Sequence, residues 1–269
     1  MPSAAALVFL ACLPLGAGAG FLAGLLGVGG GLVIVPVLLY LFAYIGVAAQ
    51  IQPHLALGTS LASILFTSIF SFLSHHRHGA VDWGVFRAIT PGIVTGALAG
   101  AWAAGYLPAQ PLKVFFVVFL FFAATQMLLN LRPPPQRALP GRGGMFAAGN
   151  IIGAVSSWVG IGGGTLSVPF LAWCNVPVPR AIGTSAAIGF PIAAAGALGY
   201  ALSGWGQADL PAASLGYLHL PALAGIAATS VLTAPLGARL THRLPVARLK
   251  RIFALLLLIL AIRMAVSVF

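Results

Sequence analysis

The chain interrupts itself twice in the same unusual way. Residues 27–36 read Gly-Val-Gly-Gly-Gly-Leu-Val-Ile-Val-Pro, and residues 160–169 read Gly-Ile-Gly-Gly-Gly-Thr-Leu-Ser-Val-Pro. Downstream, Gly58-Thr59-Ser60 returns as Gly183-Thr184-Ser185, and Leu107-Pro108 with Leu112-Lys113 returns as Leu244-Pro245 with Leu249-Lys250. Three landmarks recurring in order mark an internal duplication. Each glycine cluster breaks a strongly apolar stretch, and a pair of broken hydrophobic segments at matching places in two halves points to a transport site.

Hydrophobic residues make up 60% of the chain and charged residues 6%, far less charge than a soluble domain of this length carries. Stretches such as 32–49, 55–74, 111–131 and 252–269 are long enough, at about 1.5 Å per residue, to cross a hydrocarbon core of roughly 30 Å. Their apolar runs are continuous rather than alternating, which excludes a transmembrane barrel. The fold class expected is an all-α polytopic membrane protein with ten segments: about 4–26, 32–50, 55–74, 84–105 and 111–131, then 145–160, 164–175, 181–203, 215–238 and 248–268. Segments 145–160 and 164–175 are short for a span, so each glycine motif is expected to join helix pieces that enter and turn back. No Lys or Arg precedes the first apolar run, and the run has a counterpart in mid-chain. It therefore reads as structure rather than a cleaved signal. Cys12 and Cys174 lie in apolar runs without a pairing motif and read as core packing.

In this layout Arg77, Arg87, Arg132, Arg137, Arg142, Arg180 and the basic cluster 239–251 fall on one side of the membrane, and only Lys113 and Arg263 on the other. The positive-inside bias then puts the linker 132–144 in the cytoplasm and both termini outside. The formal net charge of +11 is scattered over short loops, which argues for topology and against nucleic acid; anionic membrane lipid accounts for the 239–251 cluster. Five segments per half is an odd number, so residues 145–269 are expected to enter the membrane upside down relative to residues 1–131. Two inverted-topology repeats follow, an architecture suited to alternating access.

Glycines 29, 30 and 31, and 162, 163 and 164, permit turns that bring backbone N–H groups close to a ligand. Helices starting near Leu32 and Thr165 would point their positive ends into the gap, which suits an anion. The alternative is close helix packing by small residues. Ser60, Ser63, Thr67, Ser71 and Ser74 share one helical face, either as a hydroxyl-lined passage or as packing with hydroxyls bonded to their own backbone. Thr59, Ser60, Thr184 and Ser185 are expected at segment starts, where N–H and O–H groups would aim together. Arg180, beside the second triplet, could attract an anion or simply mark the inside loop. Asp82 and Asp209 are the only acidic residues, expected at matching segment ends. Without a carboxylate inside the membrane the substrate is expected to be negative. His54, His75 or His219 could still relay protons, so proton coupling stays open. Gln126, Asn130, Asn150 and Asn175 are candidates for bonds between helices, and Trp83, Trp102 and Trp205 for interface anchors.

The run Gly24-Leu-Leu-Gly-Val-Gly-Gly-Gly-Leu-Val-Ile-Val-Pro36, its repeat at Gly160–Pro169 and the two Gly-Thr-Ser triplets resemble the TauE/SafE sulfite exporter family over nearly the whole chain. The resemblance implies a permease of the bacterial inner membrane that moves sulfur oxyanions such as sulfite, sulfonates or thiosulfate, usually outward. It implies a secondary transporter and no enzyme, metal or cofactor. The expected substrate-binding set is Gly29, Gly30, Gly31, Thr59, Ser60, Gly162, Gly163, Gly164, Thr165, Thr184, Ser185 and Arg180. An anion channel of the same architecture is the alternative reading. An intramembrane hydrolase built on Gly153-Ala-Val-Ser156 and His219 is a remote one. A homo-oligomer also stays open, because a lipid-facing leucine stripe and a subunit interface look alike.

Overall fold

The computed structural model describes residues 4–27, 29–129, 138–241 and 246–268. The Leu244-Pro245 landmark, Asn130, Arg132, Arg137 and Arg243 lie outside the described residues. The first half holds α1 (Ala4–Leu26), α2 (Gly31–Tyr44), α3 (Gln52–Arg77), α4 (Trp83–Ala104) and α5 (Ala109–Leu128). The second holds α6 (Arg142–Val159), α7 (Gly164–Trp173), α8 (Val178–Ser203), α9 (Leu220–Thr241) and α10 (Val246–Val268). A small hairpin, β1 (Ser214–Leu215) against β2 (Leu218–His219), precedes α9.

Among the described residues six helices, α1, α3, α4, α5, α8 and α9, are long and apolar enough to cross a membrane. The members that follow the glycine breaks are not: α2 has 14 residues and α7 has 10, lengths of about 21 and 15 Å. The expected segment 32–50 thus ends early, at Tyr44. Both α3 and α8 begin three residues ahead of expectation, because each has a proline in its first turn, where its missing N–H costs nothing. Large apolar side chains face outward along the outer helices, among them Phe122, Ile151, Leu232 and Ile259, each at least half exposed. A surface of this kind needs lipid to cover it.

The principal helix pairs are α1 with α9, α6 with α4, α3 with α8, α3 with α9, α4 with α8, and α5 with α10; α2 packs on α3 and α7 on α8. Exchanging α1–α5 for α6–α10 maps this set onto itself. The correspondence reaches single residues. Gly16 of α1 lies on Ile226 and Gly20 on Ser230, while Gly149 of α6 lies on Ile89 and Gly153 on Ile93. The first partner shifts by 133 residues (Gly16 to Gly149) and the second by 137 (Ile89 to Ile226). At all four glycines a Cβ would run into the partner's backbone, so small residues let these helices approach as in other membrane bundles. The corresponding helices α3 and α8 pack antiparallel: Gly58 meets Tyr200, Leu61 meets Gly196 and Ser68 meets Gly189.

Candidate substrate site where the glycine breaks meet

Gly30 and Gly163 are the residues that cap α2 and α7 at their N-termini, with φ/ψ of 76°/−13° and 75°/−15°. This left-handed geometry is one glycine adopts without a Cβ clash. The two breaks also touch. A Cβ on Gly29 would sit 2.8 Å from both the N and the Cα of Gly162, and one on Gly31 would strike the carbonyl of Gly160. The N–H groups of Val33 and Leu166 donate to the cap carbonyls of Gly30 and Gly163, each at 3.0 Å, while those of the two residues ahead of each have no acceptor within their own helices, so two positive helix ends converge where the breaks touch.

Beside the contact lies a cleft of about 10 Å³, lined by Gly27, Gly29, Thr67, Ser68, Ser71, Gly162, Gly189 and three apolar neighbours. It has room for no more than one water. Gly29 and Gly162 line it; Gly30, Gly31, Gly163 and Gly164 form the helix starts behind it. The hydroxyl stripe on α3 is mostly occupied. Ser63 Oγ donates to Ser60 O at 2.7 Å and Ser68 Oγ to Leu65 O at 3.1 Å, while Thr67 Oγ1 lies within hydrogen-bond distance of both Ser63 O, at 3.0 Å, and Ser230 Oγ, at 2.8 Å. Ser71 differs: it is 3% exposed, lines the cleft, and its hydroxyl has no partner. Sequence reasoning placed Ser71 on the right face without ranking it, and missed Ser230, whose role appears only through packing of α9 on α3.

The Gly-Thr-Ser triplets hold the breaks and the helix starts in place. Ser60 Oγ donates to Gly160 O at 2.8 Å, tying α3 to the second break. Thr59 Oγ1 accepts the N–H of His219 at 2.9 Å, and Thr184 Oγ1 accepts the N–H of Asp82 at 2.9 Å. The N–H groups of Thr59, Ser60, Thr184 and Ser185 do not aim outward as expected, because α3 and α8 begin well before them and the helical ladder uses those donors. Ser185 breaks the symmetry: its hydroxyl, like those of Ser156, Thr165 and Ser167, is buried without a partner. Arg180 stands exposed in the first turn of α8, away from the cleft.

The expected match of Asp82 with Asp209 is corrected by these bonds. Asp82 caps α4, its Oδ1 accepting the N–H of Val85 at 3.0 Å. In the second half that place belongs to His219, whose Nδ1 accepts the N–H of Ala222 at 3.3 Å. The β1–β2 hairpin lengthens the connection, so the acid that follows Gly206 comes too early. Asp209 and His219 instead line a vestibule of about 510 Å³ with the start of α1 and the turn after α2. The other buried histidines brace helix ends: His54 Nε2 lies 3.0 Å from Leu107 O and its ring stacks on Tyr217 at 5.0 Å, and His75 Nε2 lies 3.3 Å from Gly24 O. Ser156 Oγ is buried without a partner and His219 Nδ1 takes the N–H of Ala222, so the two residues do not bond to each other. Cys12 and Cys174 are buried, as expected, and Asn150 Nδ2 bonds Thr95 Oγ1 between α6 and α4 at 3.0 Å.

Comparison with known proteins points to a membrane transporter. Residues 12–264 match the family described as sulfite exporter TauE/SafE. A protein of Haemophilus influenzae called a probable membrane transporter protein is 41% identical over 257 residues, covering 95% of this chain and 97% of its own. Proteins of the same description are 27% identical in Methanocaldococcus jannaschii, over 88% of this chain and 89% of theirs, and 28% identical in Bacillus subtilis, over 73% and 79%. No solved structure matches the chain.

Proposed function

The chain belongs to the sulfite exporter TauE/SafE family and is a multi-pass membrane transporter, and from that premise we propose that it exports small sulfur oxyanions by alternating access between two inverted repeats. The observation that carries the substrate class is the meeting of two helix N-termini, through Gly29 and Gly162, beside buried hydroxyls that have no protein partner. Free N–H and O–H donors at positive helix ends complement a sulfite, sulfonate or thiosulfate headgroup, and a cation would find no acceptor charge there. Ser71 and Ser185 are the side chains assigned to the anion; Thr59, Ser60 and Thr184 position the breaks around it.

The mechanism follows from size and pairing. A cleft of about 10 Å³ is too small for a sulfur oxyanion, so binding requires the halves to move. The antiparallel packing of α3 on α8 and the paired contacts of α1/α9 and α6/α4 support two repeats related by an axis in the membrane plane. In that topology the termini and the vestibule face outside, and the bacterial inner membrane is the expected location.

The test is uptake of labelled sulfite and thiosulfate into proteoliposomes holding the purified chain. Saturable uptake with counterflow, internal anion accelerating entry of external anion, is expected. Flux equal to that of empty vesicles for both anions overturns the substrate class, and flux without saturation or counterflow identifies a channel instead.

A further inference from the structure

We infer that His219 is a proton-binding site, reached from the vestibule, at which protonation releases the N-terminal end of α9 from Thr59. The inference rests on the transport reading for its use, but the site itself stands on geometry. Neutral His219 joins two elements. Its main-chain N–H donates to Thr59 Oγ1, and its Nδ1 accepts the first-turn N–H of Ala222. With Nδ1 accepting, the ring proton of the neutral form sits on Nε2. A proton taken from vestibule water forms the Nδ1–H bond, turns an acceptor into a donor, and leaves two N–H groups facing each other. It also places a positive charge at the positive end of α9. Both effects drive the ring out of the cap.

The pseudo-symmetric partner sharpens the argument. Asp82 does for α4 and Thr184 what His219 does for α9 and Thr59, with a carboxylate whose charge favours a helix N-terminus. One end of the bundle therefore carries a carboxylate cap and the other an imidazole cap that gains charge on acidification. The histidine cap is also the longer bond, 3.3 Å against 3.0 Å. The groups around it make the proton's path one-sided. Asp209 lines the same vestibule and offers the displaced imidazolium a counter-charge. Tyr217 of the hairpin, His54 of α3 stacked upon it and Tyr200 of α8 lie behind the strand, and α2 presents the edge contact of Phe42. The basic residue described on α9, Arg239, is in its last turn.

Burial lowers the pKa of His219, so the closed state favours the neutral ring and acid favours the released one. From Thr59 the change passes to its neighbour Ser60, which holds the Gly160 carbonyl of the second glycine break. In the proposed topology the vestibule faces outside. A proton entering there and leaving inside would drive an anion outward.

The experiment uses the full chain. Apparent melting temperature in detergent is measured from pH 8 to pH 5 for the native protein and for His219→Asp, which replaces the imidazole cap with a carboxylate one; His219→Asn, a neutral cap, serves if the first variant does not fold. The native protein should lose stability as pH falls, and the variant should lose less than half as much. Equal losses overturn the inference. In proteoliposomes, thiosulfate is the probe, because its charge is constant over this range. Accumulation driven by a pH gradient should vanish in His219→Asp while thiosulfate counterflow persists; gradient-driven accumulation that survives the substitution also overturns it. If native vesicles carry no thiosulfate, the transport reading fails, and the melting profile alone decides for or against His219.

Discussion

At Gly163 the backbone φ of 75° disfavours a Cβ, and the end of the Ile192 side chain would have to move aside for one. Gly163→Ala should cost about 1–2 kcal/mol from the left-handed backbone alone, seen as a lower melting temperature in detergent; Gly30→Ala, crowded by Ala19 O at 2.8 Å, should behave alike. Hydroxyls separate more sharply. Ser71 Oγ is buried and unbonded, so Ser71→Ala leaves stability unchanged or raises it, because no partner is lost and an unsatisfied group is removed. The same variant should raise the thiosulfate KM in proteoliposomes by about tenfold, the worth of one hydrogen bond to a charged ligand. Ser60→Ala instead deletes the bond to Gly160 O and should lower stability by about 1 kcal/mol. The sequence showed these serines as one stripe. It could not show which hydroxyls the fold already uses, since that depends on helices that are distant in the chain.

Among the elements, the glycine stripes of α1 and α6 set how closely the outer pairs pack. Gly20 rests on Ser230 and Gly153 on Ile93, at corresponding places of the two halves. Gly20→Leu and Gly153→Leu should therefore destabilise by similar amounts, at least about 1–3 kcal/mol for an overpacked contact. Gly18, exposed with nothing within 4 Å of a Cβ, supplies the control: Gly18→Ala should be neutral or stabilising by roughly 0.5–1 kcal/mol through lower chain entropy. A melting series of the three variants checks this. Helix existence was readable from hydropathy, and the two glycine breaks from their matching landmarks. Helix starts were less so. Gln52-Pro53-His54 looked like loop, although a first-turn proline is itself a start signal. The pairing of Asp82 with Asp209 failed because an inserted hairpin moved the cap position to His219, a shift that spacing from Gly206 cannot register.

For the whole molecule, the decisive question is whether the two halves face opposite ways. Corresponding helices α3 and α8 run antiparallel, so their C-terminal ends should open on opposite sides of the bilayer. A residue after α3 that tests this is Gly79, where a Cβ meets nothing within 4 Å, and one after α8 is the exposed Gln207. Positive-inside counting puts the basic end of α3, with His75, His76 and Arg77, in the cytoplasm. A membrane-impermeant thiol reagent applied to intact cells should then label Gln207→Cys and leave Gly79→Cys unlabelled until the membrane is permeabilised. The native Cys12 and Cys174 are buried and add little background. Labelling of both positions from one side would sink the inverted arrangement. Alternating access would then need a different hinge, because the proposed one relies on each repeat presenting to one face what its counterpart presents to the other. Opposite-side labelling would make the Asp82 and His219 caps the inner and outer ends of one pseudo-symmetric device. The charge difference between them would then be the feature that gives transport its direction.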